Sequence, residues 1–502
     1  MGFRVLILRA KCWLTLPLLV VIAAMVGCAP ADQQASQTHD RQDIWESLFL
    51  ENSKIGYSHT QIRPVRERSQ DLLRIDSFNH FKLMRFGQPV EQDLNLSTLE
   101  TPDGRLLEFT SETALGATAM KTVGRVEGDQ LVIDSGNGGK ARIAWSDEVR
   151  GFLGLEQSLE ASPLRPGERR KLKVLAPLVN QVADVEMAAT KIEPTDVLGK
   201  PQNLLRIETT SRLPDGNLLQ ETLWTDSAGQ IIKRRVAALG QESHRATAAQ
   251  AKAESATAAH FDLGTDTTVK LDRPLADAHG SKRIRYQVQL ADGDPSRVFA
   301  TGPTQTVRPL GAHEADVTVT AEPSTPPCGT SSAPGKEYLA ANSVLEIDDP
   351  RVRAMAAEAK GSLTEPREIV EALEQYVHRV VDTKDFSQTF SSAAEVAASR
   401  QGDCTEHAVL LAALARACGI PSRVAIGLVY VPSLQGFGYH MWTEVYVNGG
   451  WLSLDATLGQ GGIGAAHLKL TDSSLEGAGA YSTFLPVAQV VGQLKIKVLE
   501  AE

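Results

Sequence analysis

Between Ile44 and about Ala246 apolar and polar residues alternate with the period of two that half-buried strands require, and glycine turns interrupt the alternation. TPDGRLLEF, VEGDQLVI, LPDGNLLQETLWTD and SAGQIIKRR each set such a turn beside an alternating or apolar run, at hairpin spacing. They predict a large, curved antiparallel meander over residues 43–245. TPDGRLLEFTSETALG and TDSAGQIIKRRVAALG share a turn-strand plan, but two hairpins do not make a repeat architecture. Residues 246–259 (ATAAQAKAESATAA) are Ala-rich and poor in turn residues, as in a helical spacer or a linker. Alternation resumes in IRYQVQL and DVTVTA, which predicts a small β domain over 260–322. PSTPPCGTSSAPG then marks a linker over 323–336.

From residue 337 onward the pattern changes to helices. Asp349 before Pro350, Thr364 before Glu365-Pro366, and Ser392 with Glu395 three residues on are helix starts. Ala408 to Ala417 is an unbroken run of helix formers, apolar almost all round, with Arg416 the one charge after His407; Gly419-Ile420-Pro421 ends it. A helix without a polar face is a buried one, and the preceding helices would shield it. Arg423 to Val431 is a β-branched strand, a Gly-rich loop (435–439) leads to HMWTEVYV, and Asn448-Gly449 is a hairpin turn before WLSLD. Gly459 to Gly464 is a loop placed to border a cleft, and LKIKVLE is a terminal strand. The expected class is α+β: mostly antiparallel β domains, then an α+β domain over 337–502.

The candidate chemistry falls on this last domain. Cys404 follows Gly402-Asp403 at the start of the apolar helix. In a first turn, unpaired N–H groups and the positive end of the dipole favour the thiolate, so a lowered thiol pKa is expected. If Asn448 and Gly449 are the central turn residues, Val447 faces Gly450, Trp442 faces Asp455, and His440 is the diagonal neighbour of Asp455 on the same face. Diagonal Cβ atoms lie roughly 7 Å apart, within reach of an imidazole–carboxylate hydrogen bond. A three-residue turn would put Asp455 on the opposite face. The spacing therefore permits a nucleophile (Cys404), a base (His440) and an orienting carboxylate (Asp455). His407, one turn beyond Cys404, is a rival base or metal ligand, but too few ligands cluster there for a tetrahedral site. Trp442 shares the His440 face as a packing wall or a lining of the substrate cleft. Glu444 is expected at the solvated sheet edge.

GDC before a helix, GIPSR after it, H-x-W opening a strand and W-x-x-x-D closing the hairpin resemble the core of the transglutaminase-like superfamily, in its bacterial envelope branch. The resemblance extends over about residues 337–500. It implies a papain-like fold, catalytic Cys404, His440 and Asp455, and action on amide carbonyls. Many transglutaminases carry an aromatic residue after the cysteine, and here Thr405 stands there. No oxyanion side chain or calcium site therefore follows from the resemblance; Gln401 is the candidate oxyanion donor. No cofactor and no metal is implied.

The amino terminus adds location. Arg4, Arg9 and Lys11 precede an apolar run from Trp13 to Val26, the layout of a secretory signal over 1–27. It ends Ala24-Met25-Val26-Gly27-Cys28, resembling a bacterial lipoprotein cleavage box, so Cys28 would be the lipidated first residue of the mature chain, followed by a polar tether (28–42). The formal net charge of −10 becomes three units more negative when the signal's cations leave, and there is no basic block, which argues against nucleic acid. Five cysteines make no disulfide framework. Cys404 and Cys418 stand roughly 21 Å apart on one helix; Cys418 reads as a small buried hydrophobe, and Cys328 sits in the linker. The sequence thus describes an envelope enzyme held by lipid, with a peptide or protein substrate such as cell-wall peptide. Hydrolysis is the first reading, transfer to an amine the second, and a catalytically silent module binding envelope polymers the third. One acyl chain binds membranes only marginally, so anchoring needs the several chains of a bacterial lipoprotein. Cys28→Ala should release the protein from membrane fractions. A wild-type chain already soluble, with an unmodified mature N-terminus, would remove the anchor.

Overall fold

Gln88–Glu100 buries Val90, Gln92, Leu94 and Leu96 and exposes Pro89, Glu91, Asp93 and Asn95, the alternation of a strand with one wet face. The computed structural model describes residues 42–502 apart from 68, 115–118, 136–139, 177–178, 215, 237–239, 255–260, 322–332, 384–389 and 477–484. The signal, nearly all of the tether with Cys28, and the linker around Cys328 lie outside the described residues. Among the described residues the meander forms one fifteen-stranded sheet. Successive strands from Gln42–Leu50 to Lys140–Ala144 pair antiparallel, and so do those from Arg169–Ala176 to Gln241–Ala246. The first strand of the former run pairs with the last of the latter, Trp45 opposite Ala246, which fuses the two. Val149–Arg150 closes the far edge as the sheet's parallel pair. No helix of the described residues is long and apolar enough to cross a membrane.

The strands expected over 260–322 are present, but they are shared between two C-terminal sheets and do not form a unit of their own. Val269–Lys270 pairs with Phe437 and Gly436 at the edge of a five-stranded sheet that continues through Gly436–Val447, Ser422–Val431 and His467–Ser473, with Gly450–Leu454 hairpinned to Gly436–Val447. Arg283–Leu290, Gln305–Gly311 and Glu314–Thr320 form a second sheet whose fourth strand is the terminal Leu494–Ala501. One apolar cluster runs from Leu48 and Phe81 of the large sheet through Tyr286 and Leu411 to Val498. Strand pairing between residues about two hundred positions apart leaves no mark on local periodicity, so the sequence pattern could not divide these strands correctly.

Two of the three helix starts carry the expected caps, and the third begins at Glu365 rather than Thr364, with no side-chain cap. Asp349 accepts the Arg351 N–H ahead of Pro350–Lys360, Ser392 and Glu395 form a capping box for Ala393–Ser399, and Pro366–Val380 starts at Glu365. Cys404–Ala417 is buried through Arg416 and ends with the Ile420 N–H on the Ala415 carbonyl, Gly419 taking φ +80°. Arg416 is buried because its guanidinium donates to the carbonyls of Ala340, Ser422 and Ser474 at 2.7–2.8 Å. Cys418 is half-buried rather than fully enclosed. Gly427, in the central strand, lies opposite His440 on one side and Lys469 on the other. A Cβ there would stand 2.0 Å from the Leu468 carbonyl oxygen, so the glycine sets how closely His467–Ser473 approaches. Gly427→Ala should lower stability by roughly 1–3 kcal/mol, read as a reduced denaturant midpoint. An unchanged midpoint would mean that the strands separate without cost.

Candidate active site

The helix carrying Cys404 is held at its start by side chains on both sides of the cysteine. Asp403 Oδ1 accepts the Thr405 N–H at 2.8 Å, Glu406 Oε2 accepts the Asp403 N–H at 2.9 Å, and Glu406 Oε1 accepts the Ser391 N–H at 3.0 Å. This capping box sits around a fully buried Cys404, walled by Val429, Val431, Leu434 and Leu458. Arg85, delivered from the large sheet, forms an ion pair with Asp403. The expected acidification of the thiol does not hold in this closed arrangement. Burial pushes the Cys404 thiol well up and the Asp403 carboxylate adds to it, while Arg85 and the Met441 backbone oppose. Desolvation outweighs the helix terminus here because the terminal dipole acts with about half a charge, partly neutralised by its own acidic cap.

The opposing strands follow from the turn. Asn448 and Gly449 take φ +53° and +82°, the left-handed pair that a two-residue hairpin needs. Val447 pairs with Gly450 and the register runs to Thr443 opposite Leu454, so Trp442 comes level with Asp455 and His440 diagonal to it. His440 Nε2 donates to Asp455 Oδ2 at 2.7 Å. Among the described residues, Nδ1 of His440 has no hydrogen-bond partner. The strand is tied to the Cys404 helix by the Thr443 hydroxyl, which donates to the Ala408 carbonyl at 2.9 Å. Asp455 is fully buried, which would raise its pKa. The imidazoles of His440 and His467 nevertheless hold it well below the usual carboxylate range. Its Oδ1 accepts the N–H groups of Thr457 (2.9 Å) and Leu458 (3.3 Å), and its own N–H donates to Glu374 Oε1 at 3.0 Å. Burial raises Glu374 to about 7.

His467 is the residue that sequence reasoning missed. It stands on the strand beyond Ser422–Val431, opposite Val429, and its Nε2 donates to Asp455 Oδ2 at 3.0 Å. Desolvation lowers its pKa to about 4 against the pull of Asp455, so it is neutral at pH 7 with the proton on Nε2. The available signal was a lone histidine at a strand start (AAHLKL), which by itself indicates nothing. Oδ2 of Asp455 thus takes two imidazole N–H bonds. His440, Asp455 and His467 present ligand atoms within 4.8 Å of one another, a spacing that could also suit a metal; two donors on one acceptor account for it without an ion.

The other candidates separate. Trp442 is buried, roughly parallel to His440 (centroids 6.1 Å) and edge-on to His467 (5.3 Å), so it is a wall of the histidine cluster. His407 turns its Nδ1–H back onto the Asp403 carbonyl at 2.5 Å, a structural tie within its helix. Gln401 is exposed and outside the enclosed cluster. Glu444 is not at a solvated edge: it is buried and bonded to Arg423 (2.6 Å) and Lys469 (2.7 Å), because the neighbouring strands bring two cations to it.

Residues 353–456 match the transglutaminase-like superfamily core. None of the curated proteins matches the chain. Solved structures similar to it include a proposed cysteine protease from Cytophaga hutchinsonii (16% identity, 43% of this chain and 86% of that one, TM-score 0.30). A β-barrel-like protein of a domain of unknown function from Brucella abortus gives 11%, 41%, 95% and 0.31 for the same four measures. The periplasmic domain of TgpA from Pseudomonas aeruginosa gives 19%, 37%, 77% and 0.25.

Because the folded pKa of His467 lies below that of free imidazole, the stability it contributes is complete above about pH 6.5 and is lost as pH falls through about 4. The loss is at most about 3 kcal/mol. His467→Gln keeps a donor for Asp455 and removes the titration. The stability gap between wild type and His467→Gln should therefore narrow from pH 7 to pH 4 in chemical denaturation. A gap that stays constant with pH would mean that His467 does not titrate on unfolding.

Proposed function

With residues 353–456 in the transglutaminase-like superfamily, we propose that the chain is a cell-envelope cysteine hydrolase that cleaves amide bonds of peptides or proteins through Cys404, His440 and Asp455. The observation that carries this reading is the buried His440–Asp455 imidazole–carboxylate pair, on a strand that Thr443 ties to the helix carrying Cys404. The pair leaves the Nδ1 of His440 open for a proton. The thiol is protonated at rest, so its proton passes to His440 Nδ1 as the sulfur attacks, and Asp455 stabilises the resulting imidazolium through Nε2–H. The carbonyl's electron pair moves to its oxygen, giving a tetrahedral oxyanion. Collapse breaks the C–N bond, the amine leaves with the proton from His440, and a thioester remains on Cys404. Water then attacks with His440 as base, releasing the acid and the free thiol. The lipidated Cys28 would hold this chemistry at the membrane surface, and cell-wall peptide is a substrate of the right class.

If His440 activates Cys404, His440→Ala should slow alkylation of Cys404 at pH 7 by about 10- to 10³-fold, and Asp455→Asn should act in the same direction. Cys404→Ala should abolish turnover while changing stability by no more than about 1–2 kcal/mol, less than typical core truncations. The check is alkylation rate against pH, with the modified residue mapped by mass spectrometry. Equal rates in wild type and His440→Ala would make Cys404 a structural cysteine.

A further inference from the structure

The start of the Cys404 helix carries a charge problem that the C-terminal region does not solve alone. Asp403 and Glu406 flank the cysteine, both buried; burial and the neighbouring Asp403 raise Glu406 to about 8, and a thiolate at Cys404 would add an anion beside Asp403. The charged groups that act on the sulfur are Asp403 and Glu406 from its own helix and Arg85 from the large N-terminal sheet; His407 bonds back to the Asp403 carbonyl, and His440, on the neighbouring strand, is paired with Asp455. Arg85 and Asp403 are each 1% exposed and form an ion pair across 318 positions of sequence.

The approach of Arg85 is built. It is the last residue of Gln70–Arg85, and the next two, Phe86 and Gly87, turn the hairpin with φ +49° and +76°. Their N–H groups both donate to the Asp262 carboxylate, at 2.8 and 2.6 Å. Asp262 also accepts the N–H of Gly264 at 2.8 Å, and a Cβ at Gly264 would stand 2.8 Å from the Phe86 ring, so the ring needs that glycine. Five residues further on, Val269 pairs with Phe437 at the beginning of the strand that carries His440. One segment therefore clamps the tip of the N-terminal hairpin and abuts the His440 strand.

We propose that Arg85 is a positioning residue of the catalytic site: the N-terminal sheet delivers its guanidinium to the start of the Cys404 helix, where it balances the buried carboxylates beside a sulfur that must become an anion. The inference rests on Cys404 being the nucleophile, and it makes the large sheet part of the reaction centre. Arg85 opposes the rise that burial and Asp403 impose on the thiol. A tie that only joined domains would be insensitive to the charge of Asp403, whereas charge balance is not.

The test is the pH profile of iodoacetamide alkylation at Cys404 in the full chain. Arg85→Gln should move the profile up by about one pH unit, so that alkylation at pH 7 slows about tenfold. Asp403→Asn should move it down, and the double variant should return towards wild type. Arg85→Lys, which keeps the charge, should stay closer to wild type than Arg85→Gln. Arg234→Gln removes an equally buried arginine of the same sheet, paired with Glu156 and Glu221; it should leave the profile in place. A folded Arg85→Gln protein with the wild-type profile overturns the proposal, as does an equal shift in Arg234→Gln. Should Arg85→Gln not fold, Asp403→Asn is compared with the double variant, and coincident profiles overturn it. These outcomes are independent of whether His440→Ala changes the rate, so the Arg85 proposal and the nucleophile reading can fail separately.

Discussion

A single carboxylate oxygen, Oδ2 of Asp455, holds the site together. It is fully buried, so ionising it without partners would be prohibitive, and it is compensated by N–H donors from two imidazoles on different strands. The companion oxygen takes two backbone N–H groups from the following turn. Glu374 from the Pro366–Val380 helix accepts the N–H of Asp455 itself. The hairpin, the His467 strand, the loop after Asp455 and a packed helix therefore converge on one residue. His440 is consequently fixed in tautomer and orientation, with its other ring nitrogen turned away from the carboxylate.

The same closure explains why the cysteine is not acidified. A helix N-terminus lowers a thiol pKa when the sulfur is partly solvated, but Cys404 is fully buried and has a carboxylate on each side in sequence. In that setting ionisation is favoured by groups brought from elsewhere, the Met441 backbone and the guanidinium of Arg85. A neutral thiol suits such a site better than a standing ion pair. Removing water also strengthens each of these interactions, because less of every charge is screened.

The large sheet stands in a different relation to this chemistry than its repetitive alternation suggests. Its strands are a meander that buries polar as well as apolar side chains, among them Glu46, Asn79, Glu221 and Arg234. Yet one hairpin tip reaches Asp262 and Asp403, and one apolar cluster is shared along the chain. The terminal strand Leu494–Ala501 completes a sheet begun two hundred residues earlier. Two buried cations of the large sheet, Arg85 and Arg234, are each placed against carboxylates.

What local sequence determined about this protein is whatever is encoded within a turn or two of chain. Asn448-Gly449 admits left-handed φ and so sets the register that brings His440 diagonal to Asp455. Asp403 and Glu406 set the first turn of the Cys404 helix, and the uniform apolarity after Ala408 required that helix to be buried. Alternation was enough to announce the meander. Tertiary structure decided the rest, because the decisive groups are distant in sequence and ordinary in their own surroundings. His467 is a lone histidine until its strand pairs beside Val429. Glu444 looks like an edge residue until Arg423 and Lys469 arrive from neighbouring strands. Arg85 is one more charge in a hairpin until its turn docks on Asp262. The thiol's ionisation depends on desolvation, and desolvation is a property of everything packed around Cys404, which no window of sequence contains.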